Sequence, residues 1–219
     1  MFHFQRKICK KCREERRRLF PKIVESEKID GEFSPFFEGF SNLESEKLGR
    51  FDCLIVSESV GNLRHHIEKM KEGKSPSDFL KDYYLKDKLE TFNQQEIRKL
   101  LSAISKKRLT FYFTDVIKCF VKKEKDNFEL ALEYCANYLK KQFEILKPKI
   151  VILLGREVER IVFKKILNKK GNINRKLTHG EVFTINGMKI IYSEFPSARN
   201  SDRFVKSGGV DKLIKRISK

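Results

Sequence analysis

Three short apolar runs stand out along the chain: Phe51–Val56 (FDCLIV), about Thr110–Ile117 (TFYFTDVI) and Ile150–Leu154 (IVILL). Each is bounded by polar or turn residues and is too short for a buried helix, so each predicts a strand. Between them the spacing changes to that of helices. In Phe128–Lys147, Leu130, Leu132, Cys135, Leu139, Phe143 and Leu146 fall near one face, and Pro148 ends the element. Residues 62–107 are mostly amphipathic and helical, with a break at Gly73–Pro76. Gly155 turns into a helix that runs to about Leu167. Glu181–Ile185 and Met188–Tyr192 flank Asn186-Gly187, a two-residue hairpin signal. Gly208-Gly209 precedes a last helix, Val210–Ile217. Residues 1–50 are charged and punctuated by phenylalanine, and read as a flexible arm whose one landmark is Cys9-x-x-Cys12.

Near-continuous apolar strands alternating with helices argue for a parallel sheet covered on both faces, a three-layer α/β/α arrangement. The ligand site of such a sheet lies beyond the carboxyl ends of its strands. Three segments fall there: Ser57–Gly61 after the first strand, Asp115 at the end of the second, and Glu194–Arg203 after the last. There is no repeat and no low-complexity linker, so residues 1–219 are expected to form a single domain with an N-terminal arm.

Composition narrows the partners. Lys and Arg number 48 against 30 Asp and Glu, a net charge of +18. A surplus of that size favours a polyanion, because each phosphate neutralised releases condensed counterions. The longest apolar run, Ile150–Leu154, is far below the roughly 20 residues that span a bilayer. The N-terminus has charge but no apolar signal core. A cytoplasmic protein with reduced thiols is expected, without a membrane partner and as a monomer.

Reduced cysteines read as metal ligands or core residues. Cys9-x2-Cys12 and Cys119-x15-Cys135 supply four candidate thiolates, whereas Cys53 lies inside a strand and reads as core. Four thiolates suit either zinc or a 4Fe-4S cluster, and spacing alone does not choose between them.

The order of motifs resembles the iron–sulfur, family-four-type branch of the uracil-DNA glycosylase superfamily. Its C-x-x-C is matched by Cys9 and Cys12, and its G-E-A-P-G by Ser57-Glu58-Ser59-Val60-Gly61. Its T-N-V-V-K-C is matched by Thr114-Asp115-Val116-Ile117-Lys118-Cys119, followed by Cys135. Gln142–Gly155 (QFEILKPKIVILLG) and Phe195-Pro196-Ser197, opposite the branch's H-P-S, complete the series. The resemblance implies a four-stranded, mostly parallel sheet between helices. It also implies DNA as partner and a structural 4Fe-4S cluster on Cys9, Cys12, Cys119 and Cys135, deciding iron over zinc.

The departures fall where the branch touches the base. Asp115 replaces its Asn, Phe195 replaces its His, and Arg64-His65 replaces an acidic pair. The branch's Asn accepts from uracil N3–H and donates to O4, which an amide can do and an ionised carboxylate cannot. Cytosine offers an amino donor in place of that carbonyl. A protonated Asp115 would give a proton to cytosine N3 while its other oxygen accepts from the amino group. Neutral cytosine is the poorer leaving group and benefits from such a general acid; a protonated Asp also mimics Asn and would still bind uracil. Gly61 stands where other branches hold a Tyr against base C5, which leaves room for a substituent. The expected activity is therefore excision of a C5-modified cytosine, in the manner of antiphage glycosylases that act on glucosylated hydroxymethylcytosine. The alternatives are a uracil-DNA glycosylase of base-excision repair and a catalytically weak DNA-binding module.

By the same resemblance, Glu58 would place water or stabilise the positive charge on the sugar. Ser57, Ser59, Gly61, Asn62, His65 and Phe195 would line the pocket, Phe195 either stacking on the base or packing in the core. Ser197, Arg199 and Arg203 would contact DNA, with Arg199 at a phosphate or as the wedge that fills the gap as the base everts. No lysine is placed for Schiff-base chemistry, so a monofunctional enzyme is expected.

Overall fold

The computed structural model describes residues 2–27, 37–43, 50–59, 75–85, 91–168 and 177–218, with side chains of the first helix described from Cys9 onward. The apolar runs lie side by side as β2 (Cys53–Ser59), β3 (Phe111–Ile117) and β4 (Ile150–Leu154), joined by β6 (Met188–Ser193). These four are parallel neighbours in the order β3-β2-β4-β6. Among the described residues, two antiparallel edge strands extend the expected four-stranded sheet to six. β5 (Val182–Ile185) is the outer arm of the foreseen hairpin, and β1 (Phe40–Ser41) borders β3. Asn186 and Gly187 both take positive φ, 50° and 74°, the turn whose twist matches its flanking strands.

Strand residues alternate between two helical layers, as a pleated sheet buried on both faces requires. Leu54, Val56, Val151, Leu153 and Ile190 pack on one side with Leu132, Leu139 and Phe143 of α5 (Lys125–Leu146). On that side lie also α1 (Phe2–Leu19) and α6 (Arg156–Ile161), which continues as one π turn, Val162–Ile166. Cys53, Ile55, Phe111, Phe113, Ile152 and Ile191 face the other side. There they meet α3 (Pro76–Leu85), α4 (Phe92–Lys106), α7 (Ser201–Lys206) and α8 (Gly209–Ile217). Cys53 is fully buried, as a core residue should be. α4 opens on a capping box between Thr91 and Gln94, and α5 stops where Lys147 turns left-handed before Pro148.

The first residues depart from the expected flexible arm. Phe2–Leu19 is a helix of 18 residues that packs on α5, followed by a short α2 (Pro21–Glu25). Its inward face carries Cys12 and Arg16, four residues apart, in place of aliphatic side chains, so hydrophobic spacing does not reveal it.

Arg16, Glu27 and Asn127 are all buried and hold this arm to the body. Arg16 Nε donates to Asn127 Oδ1 at 2.8 Å, and its guanidinium pairs with Glu27. The other Glu27 oxygen accepts from the Lys122 amide at 2.9 Å and from Asn127 Nδ2 at 3.0 Å. Removing one partner of a buried pair strands the other charge, at a cost of about 3–5 kcal/mol. Glu27→Gln is accordingly expected to release α1 at lower denaturant than wild type. Hydrogen exchange of the α1 amides reads this out, and unchanged protection would refute it.

Candidate active site and metal centre

The β2–β3 register sets Ser57 opposite Asp115, both on the face toward α3 and α4. Asp115 is 2% exposed, and the Ser57 hydroxyl donates to its carboxylate. Burial raises its pKa to about 6, against the lowering by this hydrogen bond and by Lys118, while the charge of Glu58 raises it further. A buried carboxyl poised in this range, at the end of a parallel strand, has the properties of a proton donor or acceptor.

Glu58 lies within β2, which continues to Ser59, so the turn expected from Ser57 onward begins later than the sequence suggested. Its carboxylate is paired with Lys123. Ser59 is half-buried opposite Ile117. Gly61, Asn62 and His65 lie outside the described residues, as does Arg64. Phe111 and Phe113 are buried in the core.

Residues outside the sequence-based set complete the surroundings. Lys118 is fully buried, and its amine contacts Thr114 Oγ1, the Asp115 carbonyl and, at 2.8 Å, Gln142 Oε1. It also lies 5.5 Å from the centre of the Tyr138 ring. Desolvation lowers its pKa to about 8, partly offset by the charge of Asp115. Its place in the TDVIKC motif was the only available signal. On α3, Tyr84 packs 5.0 Å from the Phe113 ring, and burial, then the charge of Asp115, raise its phenol well above the ordinary value.

After β6 the chain passes through Glu194–Ser197 into a 3-10 turn, Ala198–Asn200, and then α7. Phe195 is half-buried against the core on the α3–α4 side, and a β-carbon at Gly155 would come within 3.5 Å of its own. Packing thus accounts for part of its ring. Ser197 is half-buried, and Arg199 is exposed on the turn. Arg203 is already engaged, its Nε donating to Glu194 Oε2 at 2.9 Å, so a phosphate contact would require exchange of that partner.

The four thiols of the sequence-based set lie in one neighbourhood. Cys12 and Cys135 are buried in the same core cluster, with Cys119 packed against it. Cys9 lies one turn before Cys12 on α1. Burial raises Cys9 to about 11 and Cys12, Cys119 and Cys135 to about 12, and the charges of the other thiolates add to the effect at each site. Only a metal would hold them deprotonated together at neutral pH. Arg16 and the Lys118 amide already donate to Cys12 and Cys135 respectively, the kind of hydrogen bond that supports cluster sulfurs. Among the described residues no three His, Cys, Asp or Glu side chains converge as they would on a single ion. Four thiolates are a donor set that both a 4Fe-4S cluster and zinc accept.

The pattern that defines the Uracil DNA glycosylase superfamily matches residues 67–213, more than half of the chain. The chain belongs to this superfamily. The superfamily match takes in Asp115, Cys119, Cys135 and the Phe195–Arg203 segment, while Cys9, Cys12, Ser57 and Glu58 precede it. The chain is 30% identical over 67 residues to a type-4 uracil-DNA glycosylase of Archaeoglobus fulgidus, covering 31% of this chain and 34% of that protein. It is 33% identical over 82 residues to a type-4 uracil-DNA glycosylase of Saccharolobus solfataricus, covering 36% and 37%. A type-5 uracil-DNA glycosylase of Pyrobaculum aerophilum is 29% identical over 89 residues, covering 41% and 37%. These matches span little more than a third of the relatives' length. Among the described residues of this superfamily member, no helix is long and apolar enough to cross a membrane.

Proposed function

We propose that this protein is a monofunctional DNA glycosylase that everts a C5-modified cytosine, cleaves its N-glycosidic bond and leaves an abasic site, in defence against viral DNA. The observation that carries the reading is Asp115: a buried carboxyl with its pKa raised to about 6, where the related branch has an amide. Protonated, it gives its proton to cytosine N3 and accepts from the exocyclic amine through its other oxygen. Ser57 orients it, and Lys118 fixes the backbone carbonyl beneath it. Glu58 stabilises the positive charge that develops on the sugar. By sequence resemblance alone, Gly61 would leave space at C5 and Asn62 and His65 would line the pocket, all three lying outside the described residues, with Ser59 beside them. Phe195 borders the base, while Ser197, Arg199 and Arg203 meet the DNA backbone. The charge of +18 supports a DNA partner for a monomeric, cytoplasmic enzyme.

Cys9, Cys12, Cys119 and Cys135 would hold a 4Fe-4S cluster, which would tie the N-terminal helix to the β3 exit and have no part in bond cleavage.

A second reading, uracil excision in base-excision repair, is favoured by the names of the curated relatives. Duplex oligonucleotides carrying uracil, cytosine, hydroxymethylcytosine and its glucosides, treated with protein and then alkali, separate the two. Strand breaks at the modified cytosines support the first reading, and breaks at uracil alone support the second. Binding without breaks anywhere leaves only a DNA-binding module.

The pH profile supplies an independent check. If the protonated carboxyl acts, its population is nearly complete below about pH 5, about half at pH 6, and falls about tenfold per unit above about pH 7. Single-turnover excision of the modified base should therefore be level in mild acid and decline as pH rises through about 6. A rate that climbs over the same interval would assign the work to the ionised form and refute the proton-donor role.

A further inference from the structure

We propose that His179 is a positioning residue that clamps both ends of the 194–209 segment, which the preceding reading assigns to DNA. The side chain is 3% exposed and lies between the exit of β6 and the start of α8. Its Nε2 lies 2.8 Å from the Gly209 carbonyl, and its Nδ1 is 3.3 Å from the Glu194 amide. A carbonyl only accepts and an amide only donates, so these two contacts define the tautomer: Nε2 carries the proton and Nδ1 is bare. One neutral ring thus joins the first residue after β6 to the first residue of α8. Between those two points lie Phe195, Ser197, Arg199 and Arg203.

The setting is built for this form. The Phe204 ring meets the imidazole edge-on, with centroids 5.0 Å apart. Ser193 Oγ donates to the Glu194 carbonyl at 2.7 Å and also lies 3.4 Å from Nδ1, beside the amide. Gly180 has φ +76°, and a β-carbon there would lie 2.9 Å from the Lys212 side chain, so the turn beside the ring requires glycine. The charged groups that face the ring are Lys212 of α8, which opposes a positive imidazole, and Glu194, which favours one but is engaged by Arg203. Burial disfavours the cation most of all. A second proton would set N–H against N–H at Glu194 and open the clamp at that end.

The test measures the affinity of the full-length protein for a duplex carrying a tetrahydrofuran abasic analogue, which requires no catalysis. His179→Leu keeps bulk but neither contact, and is expected to weaken binding at least about tenfold. His179→Gln retains one donor and one acceptor, and should recover affinity to within about threefold of wild type. Wild-type affinity in a folded His179→Leu, or a Gln variant as weak as Leu, would overturn the proposal. Should His179→Leu fail to fold, hydrogen exchange at the Glu194 amide of the wild-type protein decides. Protection lost as the imidazole titrates supports the clamp, and protection indifferent to that titration overturns it. Wild-type protein without affinity for the duplex would instead sink the DNA assignment of the segment, while the amide still reports on the clamp.

Discussion

Asp115→Asn is expected to lower excision of the C5-modified cytosine by at least about a hundredfold, the lower end of what a general acid contributes. Excision of uracil should rise or hold. The amide cannot release a proton to cytosine N3, and in the orientation that complements uracil its NH2 opposes the exocyclic amine. Single-turnover rates on paired oligonucleotides that differ only in the target base give the ratio directly. The decline with pH should vanish in the same variant, because the group that titrates near 6 is gone. Equal losses on both bases would show that the carboxyl supports the fold and does not choose the substrate. Asn fits the space, so failure to fold is not expected to obscure the result.

Cys12→Ala or Cys135→Ala should empty the metal centre. The protein as purified is expected to carry about four irons and absorb near 400 nm, and each variant to lose both signals together. The cluster would join the first helix to residues more than a hundred positions away. By chain-entropy reasoning, closing a loop of that size is worth about 4–5 kcal/mol in a cross-linked protein. Denaturant unfolding should report a loss of that order, partly hidden because Arg16 and Glu27 still hold the arm. Cys53→Ala serves as the control, since that thiol lies in the sheet on the opposite face and should leave iron content alone. Iron retained in Cys135→Ala would remove this thiol from the ligand set.

The central strands were legible because burial on both faces leaves unbroken apolar runs, and the Asn186-Gly187 turn because only certain residues accept its backbone. Legibility failed where buried contacts are polar. α1 turns Cys12 and Arg16 inward, and a periodicity search weighted toward aliphatics passes over such a face. Lys118 would ordinarily be assigned to the surface, yet it is fully buried because Thr114, Gln142 and a main-chain carbonyl receive its donors. The pairing of Ser57 with Asp115 depends on strand register, which no local pattern specifies. His179 carries no motif, and its partners are backbone groups 15 and 30 residues away. Motif order, in contrast, grouped Cys9, Cys12, Cys119 and Cys135 without any geometry, while among the described residues no three such side chains converge on a metal position.

The polar latch of Arg16, Glu27 and Asn127 bears on how the protein matures. Small zinc-dependent domains stay unfolded until the ion arrives, so capture of the ion and acquisition of structure are one event. Here Cys9 and Cys12 ride on a helix fastened by contacts that involve no metal. If those thiols hold a cluster as proposed, newly made chains would keep this helix docked before the inorganic core arrives and after it is lost.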